Sequence, residues 1–102
     1  MNDQIPAPPT RGQIFVRLLY TLLFVVIWGV VKTIIFFTTL FQFACLFVTL
    51  KPSEPVRLFA NRVVTYAYLL WRYVTFNLNE RPFPFAEFPT PLEPSPDQVT
   101  FE

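Results

Sequence analysis

From Leu18 to Leu50 the chain runs for 33 residues with one formal charge, Lys32, and one amide, Gln42. An apolar run this long reads as membrane-embedded. A core helix of a soluble protein would need a surrounding layer, and 102 residues hold too little chain to supply one. As a single helix the run would reach about 50 Å against a hydrocarbon core of about 30 Å, which demands a tilt of roughly 50°. Thr33 to Leu50 matches one core by itself, with Lys32 and Lys51 placed to snorkel to opposite interfaces. The stretch from Ile14 to Val31 must then kink near Gly29 or fold back. A fold-back would gather Arg11, Arg17, Lys51, Arg57 and Arg62 on one side, as the positive-inside rule favours. Val30-Val31-Lys32-Thr33 has no turn chemistry, however, so one long bent helix is expected over a two-span hairpin.

Arg11 and Arg17 ahead of an apolar run have the outline of a signal peptide, but no small-x-small cleavage site follows. A lipoprotein site at Cys45 fails because bulky Phe43 stands where small residues are wanted. An uncleaved anchor is expected.

Proline divides the rest. All 11 prolines lie at residues 6–9, at 52 and 55, or from 82 onward. Proline in a helix interior costs about 3 kcal/mol, so the two proline-free stretches are the helices. The expected organisation is a flexible leader over 1–13, a helical membrane domain over 14–79 and a Pro-rich acidic tail over 80–102. The fold class is all-α: a transmembrane helix over about 14–50, a second, amphipathic helix over about 54–78, and an extended tail. Charge follows the same division. Residues 1–79 carry seven Lys+Arg and two acids, a balance of +5, whereas residues 80–102 carry one Arg and five acids, a balance of −4.

In the first helix Thr21, Trp28, Gln42 and Thr49 recur every seven residues, with Ile35 in the remaining place. That spacing keeps one face toward one partner, and polar side chains in lipid belong on a protein-facing seam. Lys32 and Thr39 lie on the same stripe, four residues after Trp28 and Ile35. The plain alternative is that the threonines bond their own backbone. Lys32 has no acid within reach on its own helix, so lipid phosphate, the water interface or an acid on another chain would take it.

In the second helix Ser53 is placed as N-cap, with Glu54 and Pro55 suited to a first turn. Arg57, Asn61, Thr65, Tyr68, Arg72 and Thr75 fall within an arc of about 80°. Phe59, Val63, Tyr66, Leu70, Tyr73 and Val74 lie on the opposite faces. An interfacial helix with its arginines against headgroups is expected in preference to a second span, since a central Arg costs about 2.5–3.5 kcal/mol in the bilayer. The candidate headgroup residues are Arg17, Lys32, Lys51, Arg57, Arg62 and Arg72. The candidate partner contacts are Thr21, Trp28, Thr39, Gln42 and Thr49, together with Phe83, Phe85 and Phe88 of the tail.

Several chemistries are excluded by what the chain lacks. It has no His, one Cys and two Gly, neither in a phosphate-cradling pattern. No histidine base, zinc site, redox pair or nucleotide loop can be built, so no metal or cofactor is expected. The net charge of +1 gives no global pull toward nucleic acid.

Arg17-Leu18-Leu19-Tyr20, Phe41-Gln42-Phe43, Lys51-Pro52-Ser53-Glu54, Arg62, Tyr66, Thr75-Phe76-Asn77 and Arg81-Pro82-Phe83-Pro84-Phe85 carry a resemblance. Over about residues 14–89 the chain resembles a family of small gammaproteobacterial integral-membrane proteins described only as a domain of unknown function. In that pattern a glycine often precedes the Lys-Pro pair, where this chain has Leu50. The resemblance implies a bacterial inner-membrane location and no activity, cofactor or catalytic residue. The function expected is a non-catalytic accessory subunit or scaffold, with a membrane-protein partner or a second copy. The alternative is a membrane-surface protein holding anionic lipid through the basic second helix. A pore through Thr39, Gln42 and Thr49 ranks below both, because no intramembrane acid would bind a cation. An enzyme ranks last.

Overall fold

The computed structural model describes residues 7–101. Two helices, α1 (Arg11–Thr49) and α2 (Glu54–Val74), are joined by a short Pro-containing connector and followed by a tail without regular structure. Among the described residues no strand occurs.

α1 begins at Arg11, three residues before the expected start, because Thr10 and Gln13 form a capping box. Thr10 Oγ1 accepts from the Gln13 N–H at 3.1 Å, and the Thr10 N–H donates to Gln13 Oε1 at 2.9 Å. Residues 11–13, placed in the leader by their position, are therefore helical; residues 1–6 lie outside the described residues. The helix then runs unbroken through Gly29 for 39 residues. At about 1.5 Å per residue a straight helix of that length reaches about 58 Å. The molecule's longest dimension is 58 Å, so α1 does not fold back near Gly29. Gly29 needs no special conformation, and open space surrounds the position a Cβ would take.

α1 stops at Leu50, whose backbone is left-handed (φ 63°, ψ 16°) while its N–H donates to the Leu46 carbonyl at 2.9 Å. Glycine is the usual residue here, since a side chain costs about 1–2 kcal/mol in this region.

α2 opens as expected, with Glu54 in the first turn and Pro55 at the start, but the Ser53 side chain makes no capping bond. The helix ends at Val74 rather than near 78. Phe76 turns left-handed (φ 67°), its N–H donates to Tyr73 O at 3.2 Å, and the Asn77 N–H donates to Arg72 O at 2.8 Å. This pair of bonds is a Schellman closure, which consumes the carbonyls a longer helix would have used.

The helices pack antiparallel. Gln42 meets Ser53 at the connector end, Trp28 meets Trp71 in the middle at 4.9 Å between ring centroids, and Phe24 meets Tyr73 at 5.1 Å. The core is Phe24 and Val31 from α1 with Val63, Tyr66, Leu70 and Tyr73 from α2. Of the apolar face of α2, Val63, Tyr66, Leu70 and Tyr73 pack against α1, while Phe59 stays exposed beside Leu58 and Val64.

The tail returns along the hairpin. Phe83, Phe85 and Phe88 enter the groove between the helices, and the chain then crosses the polar side of α2. The Leu92 N–H donates to Thr65 Oγ1 at 2.9 Å, and Asn61 Nδ2 donates to Glu93 O at 2.8 Å. The Phe83–Pro84 peptide bond is cis. The Phe85 N–H donates to Pro82 O at 3.0 Å, so residues 82–85 turn where extended chain is expected, and the tail beyond is held against α2.

Candidate functional site

Two surfaces concentrate the residues singled out above: the polar side, where α1, α2 and the tail meet, and the uncovered side of α1.

On the polar side Arg17 is the hub. Its Nη2 donates to the carbonyls of Tyr73 and Leu78 at 3.1 and 2.8 Å, and its Nη1 donates to Asn79 Oδ1 at 3.2 Å. The guanidinium carbon lies 4.5 Å from the Tyr73 ring centroid and 4.9 Å from that of Phe76. A charged group so placed neutralises the carbonyl end of α2 and pins the tail's first residues. Nε is enclosed without a hydrogen-bond partner among the described residues. Next to it a cleft of about 910 Å³ opens, lined by Gln13, Arg17, Tyr20, Asn79, Glu80, Arg81 and Phe85 among others. Arg81 stacks over Tyr20 at 4.0 Å.

Part of the seven-residue stripe forms an internal seam, whereas Lys32, Thr39 and Thr49 stay exposed. Trp28 and Ile35 pack against the core, and Thr21 is half-buried. Gln42 makes a two-way clasp: its Nε2 donates to Ser53 O at 3.0 Å and its Oε1 accepts from the Ser53 N–H at 2.8 Å. The partner of the seam is the chain's own second helix. Thr39 and Thr49 are exposed and bond the carbonyls of Ile35 and Cys45 on their own helix, at 2.9 and 2.7 Å. Lys32 is exposed, with Nζ 5.4 Å from the Trp28 ring centroid, and Lys51 is exposed at the end of α1.

The basic stripe of α2 is covered by the tail. Arg57 Nη2 donates to Pro96 O at 2.7 Å, and Arg62 Nε donates to Pro89 O at 3.1 Å with its guanidinium over Phe88 at 5.0 Å. Arg57 also pairs with Glu54 through two bonds of 3.0 Å, which hold the Glu54 carboxyl below its ordinary range. Arg72 closes its own helix end by donating to Asn77 O at 2.8 Å. Phe83 and Phe88 stack on Tyr66 at 6.0 and 5.2 Å, and Phe85 stands edge-on to Tyr20 and Phe24 at 5.3 and 5.9 Å. The Tyr66 hydroxyl donates to Phe83 O, and burial pushes its phenol up, so it stays a neutral donor. The residues expected at headgroups or partners therefore meet one another first.

Sequence reasoning placed Asn61 and Thr65 on the polar stripe without finding their partner, which is the tail backbone. The capping box at Thr10 was readable from Thr-x-x-Gln. The ties of Arg17 to main-chain carbonyls some sixty residues away leave no local signal.

The other surface is the side of α1 facing away from α2. Eighteen large apolar side chains of α1, from Ile14 to Val48, are exposed there and along its borders. Such a patch is several times the roughly 300–600 Å² found on soluble monomers. Among the described residues α1 is the one helix long and apolar enough to cross a membrane.

No curated protein and no solved structure matches the chain. One family model matches it over residues 11–86, which takes in both helices, the Schellman closure and the tail as far as Phe83 and Phe85. The chain belongs to that family, described as Domain of unknown function (DUF4389).

Proposed function

We propose that this chain is a non-catalytic accessory subunit or scaffold of an inner-membrane protein complex, held in the membrane by α1. The observation that carries the reading is the uncovered apolar side of α1, with eighteen exposed large side chains; the opposite side mixes the charged groups of α2 and the tail with exposed apolar residues such as Leu58, Phe59, Val64 and Trp71. Water would not tolerate that surface, and hydrocarbon supplies what it lacks. Lys32 and Lys51, both exposed, are the residues free to reach headgroups at its border. The bacterial inner membrane comes from the resemblance; the apolar surface supports a membrane alone.

The fold changes which residues would meet a partner. Phe83, Phe85 and Phe88 contact the chain's own aromatic rings, but Phe83 and Phe85 stay exposed, so both remain on offer together with the outer surface of the tail. That surface carries Glu80, Glu87, Glu93 and Asp97, all exposed. A basic face on a membrane-protein neighbour is the complementary chemistry.

The test is purification at native expression level in mild detergent, with a tag on the N-terminal leader and mass spectrometry of proteins and lipids together. A stoichiometric membrane-protein partner or a defined homo-oligomer is the expected result. A strictly monomeric chain without a partner would overturn the reading. Reproducible anionic lipid without protein would replace it with the lipid-surface function, for which Arg57 and Arg62 must first shed the tail.

A further inference from the structure

We infer that α1 lies along the membrane plane, its apolar side sunk into one leaflet, rather than crossing the bilayer. The inference rests on the membrane reading above and concerns how the chain sits.

The first argument is length. The apolar part of α1, from Leu18 to Thr49, reaches about 48 Å and fits a core of about 30 Å by tilt alone only at roughly 50°, beyond the observed range of about 0–40°. The second argument is where the charges lie. Near the start of α1, Arg17 binds Asn79 and Arg81 stacks on Tyr20. Beside its middle, Arg62 stacks on Phe88, which lines a groove with Ile27, Val30, Val31 and Ile34. Near its end, Gln42 holds Ser53, next to the Glu54–Arg57 pair. Charged groups therefore accompany α1 at every level. Any window of about 20 residues chosen as a span would carry several of them into hydrocarbon, at about 2.5–3.5 kcal/mol for each near the centre.

The third argument is angular. At about 100° per residue, the side of α1 opposite α2 is an arc of about 200° without a charge or amide between Ile14 and Val48. Its one hydroxyl, Thr33, donates to Gly29 O at 3.0 Å and asks nothing of the lipid. Lys32 falls on the border of the arc, and Arg11 and Lys51 fall at its ends, where long stems reach headgroups. A surface helix seated this way sinks its apolar face by about 5–10 Å. α2 and the tail then ride above it, with the acids turned to water.

The experiment locates both ends of α1. In a Cys45→Ala background, Gly12→Cys and Lys51→Cys are made separately; both sites are exposed, and a Cβ at Gly12 meets nothing closer than Thr10 Oγ1 at 3.8 Å. Spheroplasts and inverted membrane vesicles are each treated with a membrane-impermeant maleimide. In-plane seating gives labelling of both positions from the same side; labelling from opposite sides overturns it. Spin labels at Leu19→Cys, Val26→Cys and Phe37→Cys, in phosphatidylethanolamine–phosphatidylglycerol vesicles, give a second readout. Their depths should agree within about 5 Å, whereas a crossing helix spreads them by about 10 Å or more. Labels immobilised and shielded from dissolved oxygen would mean that protein covers the arc, which also overturns the seating. Carbonate washing separates the two readings. A chain released into the supernatant defeats the membrane function itself, while a chain that stays and labels from both sides defeats only the in-plane placement.

Discussion

The two helices solve the problem of helix stability in opposite ways. α2 carries its own answers. Glu54 stands in its first turn and Arg72 in its last, each favourable to the helix dipole, and one face of it, Val63, Tyr66, Leu70 and Tyr73, is buried within the chain although Leu58, Phe59, Val64 and Trp71 stay exposed. α1 has neither an acid in its first turn nor a base in its last, and only one strip of its surface is packed. α1 is completed by what surrounds the molecule, α2 more by the molecule itself. Substitutions on the buried face of α2, or on the strip of α1 that faces it, should therefore act on folding. Substitutions on the open side of α1 should act on seating.

The sharpest test of that division compares neighbours on α1. Phe24 is fully buried against Tyr73 and Phe85, whereas Val26 is exposed on the open side. Phe24→Ala should destabilise the hairpin by about 3–5 kcal/mol, the usual cost of an aromatic-sized cavity. Val26→Ala should stay within about 0.5 kcal/mol, as for surface substitutions. Unfolding in mild detergent titrated with a denaturing detergent, read by the fluorescence of the Trp28–Trp71 pair, measures both. Equal effects would break the comparison.

Arg17 comes next, because it joins the two regimes. It projects from α1, yet its bonds serve the end of α2 and the tail's first residues. Arg17→Ala removes three charge-assisted hydrogen bonds and leaves two carbonyls of α2 and its closure exposed to an apolar setting. A loss of about 2–4 kcal/mol follows from charged-bond magnitudes of about 1.5–3 kcal/mol, part of which solvent restores. Arg17→Lys should rescue little, since an ammonium cannot hold the same fork or lie flat on two rings. Full rescue by lysine would mean that charge alone, and not the planar fork, does the joining.

The left-handed ends offer a smaller contrast. Leu50→Gly should stabilise the hairpin by about 1 kcal/mol, because the leucine is mostly exposed and pays only backbone strain. Phe76→Gly relieves the same strain but forfeits the ring beneath Arg17, worth about 0.5–1 kcal/mol at an exposed site, so it should be near neutral. The same detergent titration reads both, and a gain at Phe76 as large as at Leu50 would show that the cation–π contact adds nothing.

These positions also show what the sequence could and could not tell. Helix locations were legible because proline is excluded from their interiors, and the Trp28–Ile35–Gln42 face was legible because seven-residue spacing survives any context. Its occupant was not, since periodicity marks a face without saying whether the partner is lipid, another chain or the next helix. Phe83, Phe85 and Phe88 of the tail are expected to contact a partner, and the rings they meet are those of the chain's own helices. Leu50 and Phe76 hid their conformations because neither residue type favours them. The ends of both helices were accordingly missed by one to four residues. Arg57 and Arg62 read as headgroup ligands because an arginine stripe on an amphipathic helix has that look, and nothing local reveals a tail returning to cover it.

The smallest effect should come from Glu54, where α2 supplies its own first-turn charge. The Arg57 guanidinium holds the Glu54 carboxyl below the ordinary glutamate range. A folded-state value below the unfolded one means that the pair's contribution is complete above the ordinary range and disappears as pH falls through the folded value. The pair is exposed, so solvent screens it and the slope should be shallow. Arg57 keeps its bond to Pro96 O when Glu54 is protonated, so acid should weaken the first turn of α2 without releasing the tail. Detergent unfolding followed from pH 7 down to pH 3 should show a slight decline that Glu54→Gln abolishes, while hydrogen exchange at the Leu92 amide, bonded to Thr65, stays unchanged. A decline that persists in Glu54→Gln would assign the acid sensitivity to the tail's own carboxylates and make the tail, rather than α2, the region that depends on its surroundings.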